Sequence, residues 1–190
     1  MLSSITPLGQ RGRSGSWWVS VLAFGVGAFA AGAATYSLFG LAGDVIGLGD
    51  DLLWVAWVAI AVALLLDAAR VRPPGPRRQV NEDWLGTYRD WVVGLGFGLQ
   101  LGTGIATYVT VWAVWALIFS SMFVGLPAAA LMGVMFGFGR SVLLVRTAGV
   151  ETAGDLTHSM RVFAGFESRA RSLTYAGYGL VLIFGASGAI

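Results

Sequence analysis

The sequence contains no cysteine, no lysine and only one histidine, His158. The absence of cysteine excludes a disulfide scaffold, a cysteine nucleophile and a thiolate metal site. The single histidine leaves no His-rich metal cluster and no catalytic pair of histidines. Charge is scarce as well, because only 12% of the 190 residues are Asp, Glu, Lys or Arg, against about a quarter in soluble domains. This composition excludes a water-soluble globular domain, and the high hydrophobicity excludes a disordered chain.

Apolar residues are correspondingly abundant, at 56% of the chain, with a mean hydropathy of +0.74. A helix that crosses a bilayer needs about 20 mostly apolar residues. The predicted spans are residues 17–41, 52–66, 91–117, 126–145 and 173–190. We therefore expect an all-α, polytopic membrane protein with about five transmembrane helices. The expected domains are an N-terminal segment (1–16), a four-span bundle (17–146), an amphipathic segment (147–172) and the fifth helix (173–190).

The basic residues, all twelve of them Arg, predict the topology. They lie before span one, between spans two and three, or between the last part of span four and span five. Because basic residues concentrate in cytoplasmic loops, we expect a cytoplasmic N-terminus and an extracytoplasmic C-terminus in an inner or plasma membrane. The exclusive use of Arg, with many Ala and Gly, indicates GC-rich bacterial coding. A signal peptide cleaved within residues 28–34 is the competing interpretation, but its apolar region would be too long.

The segment before span five predicts a cytoplasmic interfacial helix. Thr152 and Asp155 have the spacing of a capping box, and Leu156, Met160 and Phe163 follow at helical spacing. Anionic membrane lipids are the expected partner of the arginines in this segment. Nucleic acid is not expected, because the arginines lie in the gaps between apolar runs and form no concentrated basic face.

Span three carries two patterns. Gln100, Thr103, Thr107 and Thr110 fall on one face of a continuous helix, which predicts a polar seam. On the opposite face, small residues recur every fourth position and predict close helix packing. They are Gly94, Gly98, Gly102 and Ala106. The seam either lines a substrate pathway or joins helices by hydrogen bonds, and in both cases span three should be central.

Arg140 is the one strongly charged residue well inside span four. Gly133 and Gly137 share its helix face and predict room for a neighbouring helix. Three roles are open for Arg140. It snorkels to the cytoplasmic headgroups, anchors an anion, or pairs with Asp67 or Asp90.

A Gly-rich helix at residues 94–102 follows an earlier Gly-rich span, and residues 104–108 repeat four of the five residues at 32–36. Over residues 17–146 this pattern resembles the transmembrane scaffold of the DsbD/CcdA family of cytochrome c biogenesis and thiol–disulfide interchange, and of related small exporters. The resemblance implies a scaffold built from two repeats. The cysteine pair of that family is absent here, and Thr35 and Thr107 stand at comparable places. The thiol chemistry of the family is therefore not expected. The family's repeats are also inverted, whereas spans one and three are predicted to run in the same direction.

Two functions remain open. The first is a small permease, or the membrane subunit of a transporter, whose path is lined by the seam and Arg140. The second is a non-catalytic accessory or assembly subunit that docks through its glycine faces. No enzyme, cofactor or metal is expected, because the chain offers no cysteine, one loop histidine and no intramembrane carboxylate pair. Five spans around one seam make a small pore, so a homo-oligomer or a partner membrane protein is expected.

Overall fold

A computed structural model of the chain describes residues 6–8, 16–76, 84–159 and 161–162. All regular elements in these residues are helical, which confirms the predicted all-α class. The main helices are α1 (Trp17–Val45), α2 (Leu53–Ala68), α3 (Trp84–Thr87), α4 (Asp90–Gly102), α5 (Trp112–Ser120) and α6 (Gly125–Val145). Single 3₁₀ turns at Asp50–Leu52 and Ser121–Phe123 precede α2 and α6. The predicted span at 173–190 lies outside the described residues.

Two of the described helices are long and apolar enough to cross a membrane. They are α1, with 29 residues, and α6, with 21. Helix α2, and α5 together with the 3₁₀ turn after it, are apolar but shorter. These helices favour an association of the chain with a membrane.

Helix α1 lies between α4 and α6 and is the central helix of the bundle. Span three was predicted to hold that place, and this prediction is wrong. Small residues on two faces of α1 explain the difference, because they allow α4 to approach from one side and α6 from the other. Helix α4 runs parallel to α1, whereas α6 runs antiparallel to it.

The glycines of α4 lie directly on the backbone of α1. A Cβ atom at Gly94 would collide with the carbonyl of Ser20, and one at Gly98 would collide with that of Phe24. Gly102 meets the carbonyl of Ala28 in the same way. No residue larger than glycine fits these positions without moving one helix.

The opposite face of α1 is equally close to α6. Gly133 lies against the backbone of Gly32, and Gly137 lies against that of Ala28. Since Ala28 also meets Gly102, one short stretch of α1 holds both neighbours. The five glycines predicted to pack helices thus all face α1 within this chain.

The predicted third span is not one helix. Helix α4 ends at Gly102 and α5 begins at Trp112, so the continuous helix expected over residues 91–117 is wrong. Gly104 has a φ of +76°, a value that ends a right-handed helix. In residues 103–111, six of the nine are Thr, Val or Ile, whose branched Cβ atoms disfavour helix. We call residues 103–111 the extended segment.

Replacing Gly133 by Ala tests the close approach of α6 to α1. The new methyl group would meet the carbonyl of Gly32, so we expect a loss of about 1–3 kcal/mol in unfolding free energy. Gly139→Ala is the matched control on the same helix, because nothing lies within 4 Å of its Cβ position. That control should leave stability unchanged or raise it by up to about 1 kcal/mol. Thermal unfolding in detergent, followed by circular dichroism, measures both. An unchanged melting temperature for Gly133→Ala would contradict the contact.

Candidate functional site

The extended segment alternates between buried and exposed side chains. Thr107 and Val109 are 7% and 4% exposed, whereas Ala106, Tyr108 and Thr110 are exposed. This period of two is that of an extended chain. One side of the segment packs into the bundle, and its other side is open.

The hydroxyl of Thr103 forms two hydrogen bonds with the backbone just where α4 ends. It donates to the carbonyl of Gln100 at 2.9 Å and accepts from the N–H of Ala106 at 3.1 Å. Beyond this turn, the backbone N–H groups of residues 107–111 have no hydrogen-bond partner among the described residues. Unpaired backbone groups are costly in a low-dielectric setting, so these donors require water, a ligand, another chain or a part of this chain outside the described residues.

The polar seam expected on span three does not form a helix face. Gln100 lies on α4 and Thr103 lies in the closing turn, whereas Thr107 is buried and Thr110 is exposed in the extended segment. The physical reason is the end of the helix at Gly102, after which a helical spacing no longer aligns side chains. The four residues still lie at or near the interruption between α4 and α5, which we call the break.

Asp67, near the end of α2, caps the first turn of α5. Its carboxylate accepts from the N–H of Trp112 at 2.8 Å and from that of Ala113 at 3.3 Å. Val111, the residue before α5, offers no side-chain cap. The carboxylate therefore supplies both the acceptors and the negative charge that a helix N-terminus favours.

The connector after α2 is bound to the same helix. The indole N–H of Trp112 donates to the carbonyl of Val71, and that of Trp115 donates to the carbonyl of Pro74, each at 2.9 Å. Proline-rich backbone has few donors and presents its carbonyls, which suits recognition by indoles. The connector, residues 71–76, is thus held beside the extended segment.

Arg140 points toward the break and away from the end of α6. Its guanidinium carbon lies 5.1 Å from the ring centroid of Phe136, one turn earlier in the helix. The ring of Phe136 in turn lies 5.8 Å from that of Tyr36 and borders Gly104. The guanidinium thus lies on the side of Arg140 that faces the start of α6.

Neither carboxylate considered as a partner of Arg140 is paired with it. Asp67 caps α5, and Asp90 accepts from the N–H of Ser16 at 3.0 Å. Among the described residues, Arg140 has no carboxylate partner. Of the three roles open for it, snorkelling and anchoring an anion therefore stay predictions.

Three side chains at the break were not singled out by the sequence patterns: Tyr36, Phe136 and Tyr108. Tyr36 is fully buried at the centre of an apolar cluster with Val109, Val114 and Ile118. The sequence feature that could have marked Tyr36 is a large phenol side chain within a Gly- and Ala-rich helix. Tyr108 occupies the same place in the repeated pentapeptide. The two pentapeptides differ in conformation, because residues 32–36 are helical and 104–108 are not.

The interfacial segment contains the predicted capping contact. The carboxylate of Asp155 accepts from the N–H and the hydroxyl of Thr152, at 2.9 and 2.8 Å, and its own N–H donates back to that hydroxyl. These hydrogen bonds lower the pKa of Asp155 below its ordinary value. Residues 153–159 are helical, and two residues of the predicted apolar stripe, Met160 and Phe163, lie outside the described side chains.

Comparisons with known proteins give no assignment, since no family model, curated protein or solved structure matches this chain. Within the part of the chain that the structure describes, no three His, Asp or Glu side chains lie close enough to hold a metal ion. The chemistry of the site must therefore be argued from its own residues.

Asp67→Ala should release the start of α5. Removing a side-chain cap costs about 0.5–2 kcal/mol, and the amide protons of Trp112 and Ala113 should exchange faster with solvent. Asp44→Ala is the control, because Asp44 is an exposed carboxylate near the end of α1. Thermal unfolding and hydrogen exchange by mass spectrometry measure the two effects. Equal exchange in both variants would show that the carboxylate does not hold α5.

Proposed function

We propose that this chain is a multi-pass membrane protein that acts as a small permease or as the membrane subunit of a transporter. We further propose that its path follows the extended segment between α4 and α5. The observation that carries the proposal is a run of backbone N–H groups, beside the middle of a long apolar helix, that have no partner among the described residues. Discontinuous helices of this kind form substrate and ion sites in transporters.

The position of the break along α1 supports this placement. Helix α1 is about 44 Å long, and Ala28, which meets the end of α4, lies about 17 Å from its start. A hydrocarbon core is about 30 Å thick. If α1 crosses the bilayer, the extended segment lies near its midplane. Non-helical backbone is tolerated there only against protein or in a water-filled cavity.

Three charged side chains lie near the extended segment or the ends of the two helices beside it. Asp67 caps α5, Arg72 belongs to the connector beside Tyr108, and Arg140 points toward Phe136. Charged groups at membrane depth face water or the interior of a bundle and mark pathways. Their location favours a wet vestibule that opens toward the cytoplasmic side.

The proposed topology has five spans. They are α1, α2, the interrupted pair α4 and α5, α6, and residues 173–190. The parallel course of α1 and α4 and the antiparallel course of α6 agree with this order. The N-terminus is then cytoplasmic and the C-terminus extracytoplasmic, in an inner or plasma membrane.

The alternative, an accessory or assembly subunit, has less support. This function was expected to use the glycine faces as its docking surface. Those glycines contact α1 within the chain, so they are not open to a partner. A partner membrane protein or a second copy remains part of the proposal, because the open side of the extended segment must be covered or hydrated. The likeness to the DsbD/CcdA scaffold contributes no residue to the path.

Single cysteines test the topology in a chain that has none of its own. Gly49 and Gly149 suit the test, because nothing lies within 4 Å of either Cβ position. In intact cells, an impermeant maleimide should label Gly49→Cys and leave Gly149→Cys unlabelled, since only residue 49 is placed outside. Both should react after permeabilisation. Labelling of Gly149→Cys in intact cells would overturn the orientation.

Water in the path is tested by comparing two kinds of exposed position. Thr110→Cys and Tyr108→Cys lie on the open side of the extended segment, whereas Leu22→Cys and Leu131→Cys lie on the outer faces of α1 and α6. A thiol reacts as its thiolate, which forms in water and not in lipid. In nanodiscs, a charged methanethiosulfonate should therefore modify the first pair at least about tenfold faster. Equal rates for the two pairs would remove the pathway from this segment.

A further inference from the structure

A small cavity lies between the connector and the extended segment. Its volume is about 60 Å³, and it is lined by Arg72, Pro73, Gly75, Tyr108 and Val109. Bulk water takes about 30 Å³ per molecule, so the cavity has room for one small ion or headgroup and excludes a nucleotide.

The polar side chains at this cavity bring mainly donors. Arg72 brings a guanidinium with five N–H donors, and Tyr108 brings a phenol. The backbone N–H groups of Tyr108 and Val109 have no hydrogen-bond partner among the described residues. Among the described residues, no carboxylate lines the cavity.

Two carbonyls of the connector are already engaged elsewhere. The carbonyls of Val71 and Pro74 accept from the indoles of Trp112 and Trp115. Pro73 and Pro74 have stiff backbones, so these two hydrogen bonds hold the backbone of Arg72 in place without help from a ligand, while its side chain is exposed. The result is a fixed stretch of backbone that carries one positive charge beside the cavity.

We propose that this cavity binds an oxyanion of the phosphate class, held by the guanidinium of Arg72 and the hydroxyl of Tyr108. Arginine with phosphate forms charge-assisted, often bidentate hydrogen bonds, and exposed backbone N–H groups add to such sites. A lipid headgroup and a free phosphate share this chemistry. The site is independent of transport, because it rests on the cavity and its donors alone.

Calorimetric titration of the full chain in a neutral detergent at about 0.15 M salt, where exposed charges are screened, tests the site with inorganic phosphate. Arg72→Gln should weaken binding at least about tenfold, the effect of one charge-assisted hydrogen bond. Arg70→Gln is the matched control, because it removes the same charge two residues away and does not line the cavity. It should change affinity by less than about twofold, since an exposed charge is screened. Tyr108→Phe removes only the hydroxyl and should weaken binding about threefold to tenfold.

Native mass spectrometry of the same variants distinguishes the source. The unsubstituted chain should retain phosphatidylglycerol in preference to phosphatidylcholine if the ligand is a lipid headgroup. In that case Arg72→Gln loses the preference and Arg70→Gln keeps it. Phosphate binding with the same pattern, and no lipid preference, identifies a free anion. Equal losses in the two arginine variants, or no binding of either probe, would overturn the proposal. Matching circular dichroism and melting temperatures must first show that Arg72→Gln is folded.

Discussion

Contact between helix backbones at α1 is the constraint on which the rest of the structure depends. In a lipid environment no hydrophobic force drives helices together, so association relies on close van der Waals packing and hydrogen bonds. Gly98 and Gly133 bring α4 and α6 onto opposite faces of α1 at backbone distance. Their positions set the register of both helices, and the register of α4 in turn places its end beside Ala28. The break in the third apolar segment is thus located by glycine packing some residues earlier.

The start of α5 is stabilised by a charge of opposite sign. The N-terminus of α5 carries a partial positive charge, and Asp67 meets it through two hydrogen bonds. On the side where α4 ends, the ring of Phe136 borders Gly104 and carries the guanidinium of Arg140 over its face. The N-terminus of α5 therefore faces the charge that its dipole favours. This arrangement explains why a carboxylate lies near the end of the otherwise apolar helix α2.

Sequence patterns predicted the helical class and located α1, α2 and α6 to within a few residues, because length and hydrophobicity determine those elements. The packing role of the glycines could also be predicted, since glycines recur at every fourth position in α4. The break was missed because the threonines of 103–110 also fit a helical period. Their branched side chains, together with Gly104, were the available signal, and branching is the stronger physical effect in a segment without capping. The partners of Asp67 and Arg140 could not be predicted, because each depends on contacts between elements more than 40 residues apart or on a ring direction within the bundle.

An interrupted helix has a consequence that neither half-helix has alone. In a continuous helical span, the backbone N–H and C=O groups are hydrogen-bonded within the helix. Such a span can therefore face lipid without leaving a backbone group unpaired. The backbone N–H groups of residues 107–111 instead have no hydrogen-bond partner among the described residues, while the side chains of Thr107 and Val109 pack into the core. These buried side chains hold the segment against the bundle, and the connector places the positive charge of Arg72 beside it. The end of α4 at Gly102, more than the hydroxyl seam expected from the sequence, thus determines where polar groups gather in this part of the molecule.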